Sequence, residues 1–303
     1  MHSTMITVLL LAAAMAAGGG SAFAAPKADA PKPADAKPGF QPPRDVEFKA
    51  EVDGSVERYV EMLPTGYDPK KECDLLVGLH GHGSDRWQYA ANEQYNECKA
   101  ARAVAAKHGM IFVSPDYRAT TSWMGPKAEA DLVQIIRDVR KERKIGRVIL
   151  VGASMGGASV LIFTALHPEL VDGVSSQNGT ANMVEYNNFQ TWIIKSYGGA
   201  KTEKPEEYRK RSPELAPERF KGIAVAITCG GKDTAVPPDS VLRLAKKLEE
   251  QDAKSVLLIH RPEGGHATSY DDTVKALEFV IERAAAKAPR ASRTSASSCR
   301  PTC

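Results

Sequence analysis

Apolar side chains recur along the chain in two rhythms, and their alternation predicts the architecture. Residues 46–52 and 56–63 alternate apolar with polar positions on either side of Asp53-Gly54-Ser55, the pattern of an antiparallel hairpin. A third strand is expected over 74–79, ending in His80-Gly81-His82-Gly83. An alanine-rich helical face follows over 90–107 and is closed by His108-Gly109; a fourth strand is expected over 110–114. Pro126 opens a helix that carries Leu132, Ile135, Ile136 and Val139 on one face. Strands then fall at 148–151, 171–176, 223–228 and 256–259. Between and after them come helices at 158–166, which reads as amphipathic, 239–250 and 268–286. Only 178–219 resists this scheme, scattering Tyr186, Phe189, Trp192 and Tyr197 among polar residues, as a small cap would. A hairpin followed by alternating strands and helices predicts an α/β fold: a mostly parallel sheet of about eight strands, covered by helices on both faces.

The sharpest local feature is Val148-Ile149-Leu150-Val151-Gly152-Ala153-Ser154-Met155-Gly156-Gly157, a buried strand running into a G-x-S-x-G turn and then a helix. A serine at such an apex is held in a strained conformation, and glycines two before and two after let neighbouring backbone pass close by. The turn lifts the hydroxyl clear of the sheet and sets it at a helix N-terminus, where free N–H groups favour a developing oxyanion. Ser154 is therefore the candidate nucleophile.

A serine hydroxyl near neutral pH needs a base, and the base needs an orienting acid. Downstream of Ser154 stand His167, His260 and His266. His167 ends the elbow's own helix and His260 lies at the end of the last strand. His266 follows Pro262-Glu263-Gly264-Gly265, a loop expected at the carboxyl edge of the sheet, where the elbow also opens. It is the preferred base. Asp233, in Gly230-Gly231-Lys232-Asp233-Thr234-Ala235-Val236-Pro237, is the preferred acid. Asp239 better suits a helix cap, and Asp252 falls at the wrong edge. The Met155 amide is the expected first oxyanion donor, and the His82 amide, in the glycine-rich loop, the expected second. His80-x-His82-x-x-Asp85 comes near a metal-binding signature, but the spacing is off by one and Arg86 stands where a further histidine belongs. No metal or organic cofactor is expected. Trp192 and Tyr186 are candidates to line a substrate pocket, with cap core as the competing assignment.

Composition changes this picture little: 43% hydrophobic and 25% charged residues are ordinary for a globular chain. The formal charge of +3 is concentrated at the end, since 287–303 carries four basic residues and no acid. The body is slightly acidic, so nucleic acid is not an expected partner. Residues 1–25 contain no Lys, Arg, Asp or Glu, have an apolar core over 5–17 and end in Ala22-Phe23-Ala24. They read as a secretory signal peptide, too short for stable membrane insertion, and so predict a secreted or periplasmic protein. A Pro/Ala/Lys-rich linker is expected over 26–45, a catalytic domain over 46–286 and a disordered tail over 287–303. Of five cysteines, Cys73 and Cys98 could bridge, Cys299 and Cys303 could pair in the tail, and Cys229 reads as a buried thiol.

With the elbow, the glycine-rich loop and Ser154, Asp233 and His266 in place, residues 46–286 resemble the α/β-hydrolase superfamily. They look most like serine esterases of its dienelactone-hydrolase and prolyl-oligopeptidase branches. Gly152-Ala153-Ser154-Met155-Gly156-Gly157 matches their elbow, and Tyr208-Arg209-Lys210-Arg211-Ser212-Pro213 and Gly231-x-Asp233-x-x-Val236-Pro237 resemble segments of the peptidase-like catalytic domain. Peptidase members usually show His-Gly-Gly-Pro where this chain has His80-Gly81-His82-Gly83. No β-propeller stands ahead of the domain in this sequence, which on the resemblance favours an esterase. The expected activity is hydrolysis of a small-molecule or polysaccharide carboxylic ester, with acetyl or feruloyl esters as examples. A serine aminopeptidase is the alternative on the same fold, and a non-catalytic binding module the alternative of another class.

Overall fold

A computed structural model describes residues 39–286; the segments read as signal peptide and tail, and residues 26–38 of the linker, lie outside the described residues. Eight strands form one sheet in the order β1-β2-β4-β3-β5-β6-β7-β8. They are β1 (Arg44–Lys49), β2 (Val56–Met62), β3 (Cys73–Leu79), β4 (Ile111–Pro115), β5 (Ile145–Ala153), β6 (Gly173–Gln177), β7 (Ala224–Gly230) and β8 (Val256–Arg261). The hairpin β1–β2 is antiparallel and joins β4 antiparallel; every later pairing is parallel. This is the α/β-hydrolase arrangement. Phe40, in the stretch read as linker, is buried and bridges Pro64, so packing begins before β1.

Side-chain alternation divides the core. Leu75, Val77, Val148, Leu150, Val225 and Ile227 face α3 (Pro126–Glu142), α4 (Met155–Leu166) and α7 (Asp239–Asp252). Leu76, Ile149, Val151, Ala224 and Ala226 face α1 (Trp87–Ala91), α2 (Asn96–Lys107) and α8 (Tyr270–Ala285). Two short helices, α5 (Gln190–Tyr197) and α6 (Pro205–Lys210), punctuate the segment 178–219.

Three expectations are corrected. The helix over 90–107 is two helices, because Asn92 accepts the amides of Gln94 and Tyr95 on its side chain and turns the backbone. The buried Arg102 guanidinium then fixes the break by donating to the Tyr89 and Asn92 carbonyls. Helix α4 is not amphipathic: Met155 through Ala165 are all buried, since sheet, cap and neighbouring helices enclose it. Cys73 and Cys98, which could have bridged, are not joined by a disulfide. Cys73 begins β3, whereas Cys98 lies in the first turn of α2, after the chain has crossed to the opposite edge of the sheet.

Strand order reverses around β3, which has β4 on one side and β5 on the other. A crevice opens there at the carboxyl ends of the strands. Because Leu79 is in register with Gly152, the loop after β3 emerges beside the turn after β5.

Candidate active site

Ser154 stands at that turn with φ 59° and ψ −122°, a conformation costly for a residue bearing a Cβ. Close approach on both sides explains the flanking glycines. A Cβ on Gly152 would come within 2.4 Å of the Gly156 carbonyl oxygen, and one on Gly156 within 2.0 Å of that of Leu79. The turn is anchored by the Ser154 amide donating to Gln177 at 2.9 Å and the Ala158 amide to Ser154 at 3.0 Å.

Of the three downstream histidines, only His266 reaches the hydroxyl: its Nε2 lies 2.9 Å from Ser154 Oγ. Its Nδ1 lies 2.6 Å from Asp233 Oδ2. The carboxylate can only accept, so Nδ1 carries the proton and Nε2 presents a lone pair to the serine. Asp233 is almost wholly buried, and its other oxygen, Oδ1, accepts the amides of Ala235 (3.0 Å) and Val236 (2.9 Å). His167 is instead bonded to Glu129, and His260 is an exposed residue of β8. Asp239 is the first residue of α7 and exposed.

The glycine-rich loop lies against the turn. A Cβ built on Gly81 would stand 3.8 Å from that of Ser154. Among its amides, Gly81 donates to Gln88 Oε1 at 2.7 Å, Gly83 to Thr120 at 2.7 Å and Ser84 to Gly81 at 3.2 Å. The His82 amide has no such partner among the described residues. Met155 opens α4, so its amide also lacks an intrahelical acceptor. These two amides, on the loop after β3 and at the start of α4, are the candidate oxyanion donors.

The residues of the near-metal signature are engaged elsewhere. Buried His80 has the carbonyls of Gly81 and Asp116 at 2.8 and 3.2 Å from its ring nitrogens, and Asp85 accepts the Trp87 amide at 2.9 Å. His82 Nδ1 accepts from Trp123 Nε1 at 3.0 Å. Burial lowers the pKa of both imidazoles, favouring their neutral forms.

Tyr186 and Trp192 divide. Trp192 is 42% exposed beside His82. Tyr186 is buried against Trp123, and its hydroxyl donates to the Ala235 carbonyl at 2.9 Å. With Asn188, which donates to the Thr234 and Ala235 carbonyls, it supports the loop that carries Asp233. Tyr186 is therefore cap core. Sequence reasoning missed Gln88, which meets Gly81 across the loop, and Asn188 and Trp123, whose partners lie more than forty residues away; it named Phe189 only as a cap aromatic. Positive φ at Trp123 (45°), Met124 (52°) and Phe189 (56°) carries no sequence signal, since none is glycine.

Comparison with known proteins gives consistent relatives. The model of the prolyl oligopeptidase family matches residues 96–282, more than half of the chain. No curated protein matches. Similar solved structures include a thermostable esterase, at 19% identity and TM-score 0.59 over 80% of this chain and 62% of that one. The chain therefore spans less than two thirds of that esterase. A ferulic acid esterase is similar at 16% identity and TM-score 0.61, over 80% of this chain and 97% of that one. An acylaminoacyl peptidase of Pyrococcus horikoshii is similar at 17% identity and TM-score 0.59, over 81% and 41%.

Proposed function

The chain belongs to the prolyl oligopeptidase family of serine hydrolases, and from that premise we propose that it cleaves carboxylic esters through an acyl-enzyme. The observation that carries the reading is the linear relay from Ser154 Oγ through His266 to Asp233, with contacts of 2.9 and 2.6 Å. As Ser154 Oγ bonds to the acyl carbon, its proton passes to His266 Nε2. Asp233 holds the tautomer and stabilises the imidazolium. The oxyanion faces the amides of Met155 and His82. The acyl–oxygen bond then breaks, and His266 returns the proton to the departing alkoxide. Water attacks the acyl-enzyme, gives its proton to His266 and releases the acid, and Ser154 is reprotonated. No step calls on a metal or an organic cofactor. The apolar stretch within residues 1–25 supports export, so the reading is of an enzyme acting outside the cytoplasm.

Family membership also favours a second reading, an aminopeptidase, because the relay serves amides as well as esters. A panel of 4-nitrophenyl esters and aminoacyl 4-nitroanilides, run on the protein and on Ser154→Ala, separates the two. We expect ester turnover that disappears in the variant, and fluorophosphonate labelling confined to Ser154. Turnover of anilides alone would establish the peptidase, and an unlabelled Ser154 in folded protein would exclude both.

A further inference from the structure

One side chain beside the turn has a use that the relay does not require. Trp123 Nε1–H can only donate, so its 3.0 Å bond to His82 Nδ1 fixes the imidazole with its proton on Nε2. Nε2–H has no partner among the described residues. Nor is it sealed away, since His82 is only partly buried. The ring has Phe189 at 4.7 Å between centroids and Trp192 at 5.8 Å. Phe189 takes up a left-handed conformation to reach this position, and Trp123 does likewise at the base. Left-handed backbone at non-glycine residues is uphill and persists where surrounding structure enforces it, often at ligand clamps. Trp192 leaves 42% of its surface open beside the ring. The result is an aromatic wall with one oriented, neutral donor in it.

We propose that His82, Phe189 and Trp192 form a specificity slot for a planar, conjugated acyl group that carries an oxygen acceptor, with His82 Nε2–H donating to that oxygen. The slot adjoins the candidate oxyanion amide of His82 itself and, among the described residues, makes no ring contact with His266, where the alcohol leaves. It therefore belongs to the acyl side of the scissile bond. Flat rings gain offset or edge contacts from such a wall that a saturated ring of similar size does not. A donor with no protein partner rewards an acyl group able to accept and penalises one that covers it without accepting. This inference rests on the ester-hydrolase reading and adds the class of acyl group.

The test uses 4-nitrophenyl esters of acetate, cyclohexanecarboxylate and 4-methoxybenzoate, which share one leaving group. The protein should prefer 4-methoxybenzoate over cyclohexanecarboxylate by about tenfold or more in kcat/KM. His82→Phe keeps a flat ring but removes the donor, and should cut the 4-methoxybenzoate-to-acetate ratio about tenfold, mainly through KM. His82→Gln can accept from Trp123 and still donate, and should restore most of that ratio. Trp192→Ala, at an exposed position that folding tolerates, should erase the preference for the flat ring over the saturated one. Ratios that stay unchanged in His82→Phe and Trp192→Ala overturn the slot. So does a parallel loss on all three esters, which would leave His82 acting through its backbone alone. Failure of every ester together with an unlabelled Ser154 would instead defeat the ester-hydrolase reading itself.

Discussion

Replacing Asp233 by asparagine tests the relay through a consequence specific to this loop. Oδ1 of Asp233 accepts two backbone amides, those of Ala235 and Val236, while Oδ2 faces His266 Nδ1. An asparagine has one oxygen, and two fixed donors claim it. Its NH2 group must then point at His266 Nδ1, which can meet it only as an acceptor. The imidazole proton moves to Nε2, and the atom facing Ser154 Oγ can no longer take a proton. The loop should survive, because both amide bonds are kept and the side chain has the same shape. Loss of a correct tautomer together with loss of the anion costs other Ser-His-Asp enzymes about 10⁴ in kcat. That corresponds to about 5 kcal/mol in the barrier at about 1.4 kcal/mol per decade. The assay is kcat on 4-nitrophenyl acetate at pH 7.5 beside a thermal melt, with the exposed Asp239→Asn as control. We expect a loss near 10⁴ for Asp233→Asn, a Tm within a few degrees of the parent, and an unaltered control. A folded Asp233→Asn variant losing less than tenfold would refute the reasoning, since some other group would then be setting the imidazole.

Gly156→Ala must push a methyl into the Leu79 carbonyl, 2.0 Å from the new carbon, so a stability loss of about 3 kcal/mol should appear in a denaturant melt. Gln88→Leu leaves the Gly81 amide without its 2.7 Å acceptor and frees the loop before His82. We expect kcat to fall about tenfold with KM nearly constant, less than removal of an oxyanion donor outright. Hydrogen bonding from Arg243 draws the Glu214 pKa down from 4.5 to about 2. A lowered carboxyl pKa contributes stability above the unfolded value, and that contribution is lost as pH falls through the folded one. The Tm gap between the protein and Glu214→Gln should therefore be widest above pH 5 and close toward pH 2, and a gap independent of pH would count against the pairing.

Legibility followed the range of the interactions involved. The turn at Ser154 could be read because strand, glycines and helix are contiguous, and each answers a local steric demand. His266 and Asp233 could be chosen because parallel topology sends alternate loops to one edge, leaving few candidates there. The break at Asn92 was missed because it is held by Arg102 reaching back to carbonyls that helical periodicity treats as already satisfied. Helix α4 misled for a similar reason: its polar positions, Ser159 and Thr164, are buried, and Thr164 satisfies its hydroxyl on the Val160 carbonyl. Tyr186 looked like a pocket residue because an aromatic in an irregular segment gives no hint that its hydroxyl will meet Ala235. The aromatic wall around His82 was hidden twice, by sequence distance and by backbone angles that non-glycine residues seldom adopt.

The bonds from Tyr186 and Asn188 to the carbonyls at 234 and 235 bear on how this scaffold could be re-engineered. The segment that supplies part of the wall around His82 also braces the loop bearing the acid. Grafting a foreign segment there to change selectivity would remove those braces and lower turnover for every substrate alike. Point replacements at 189 and 192, which touch neither carbonyl, offer the cleaner route.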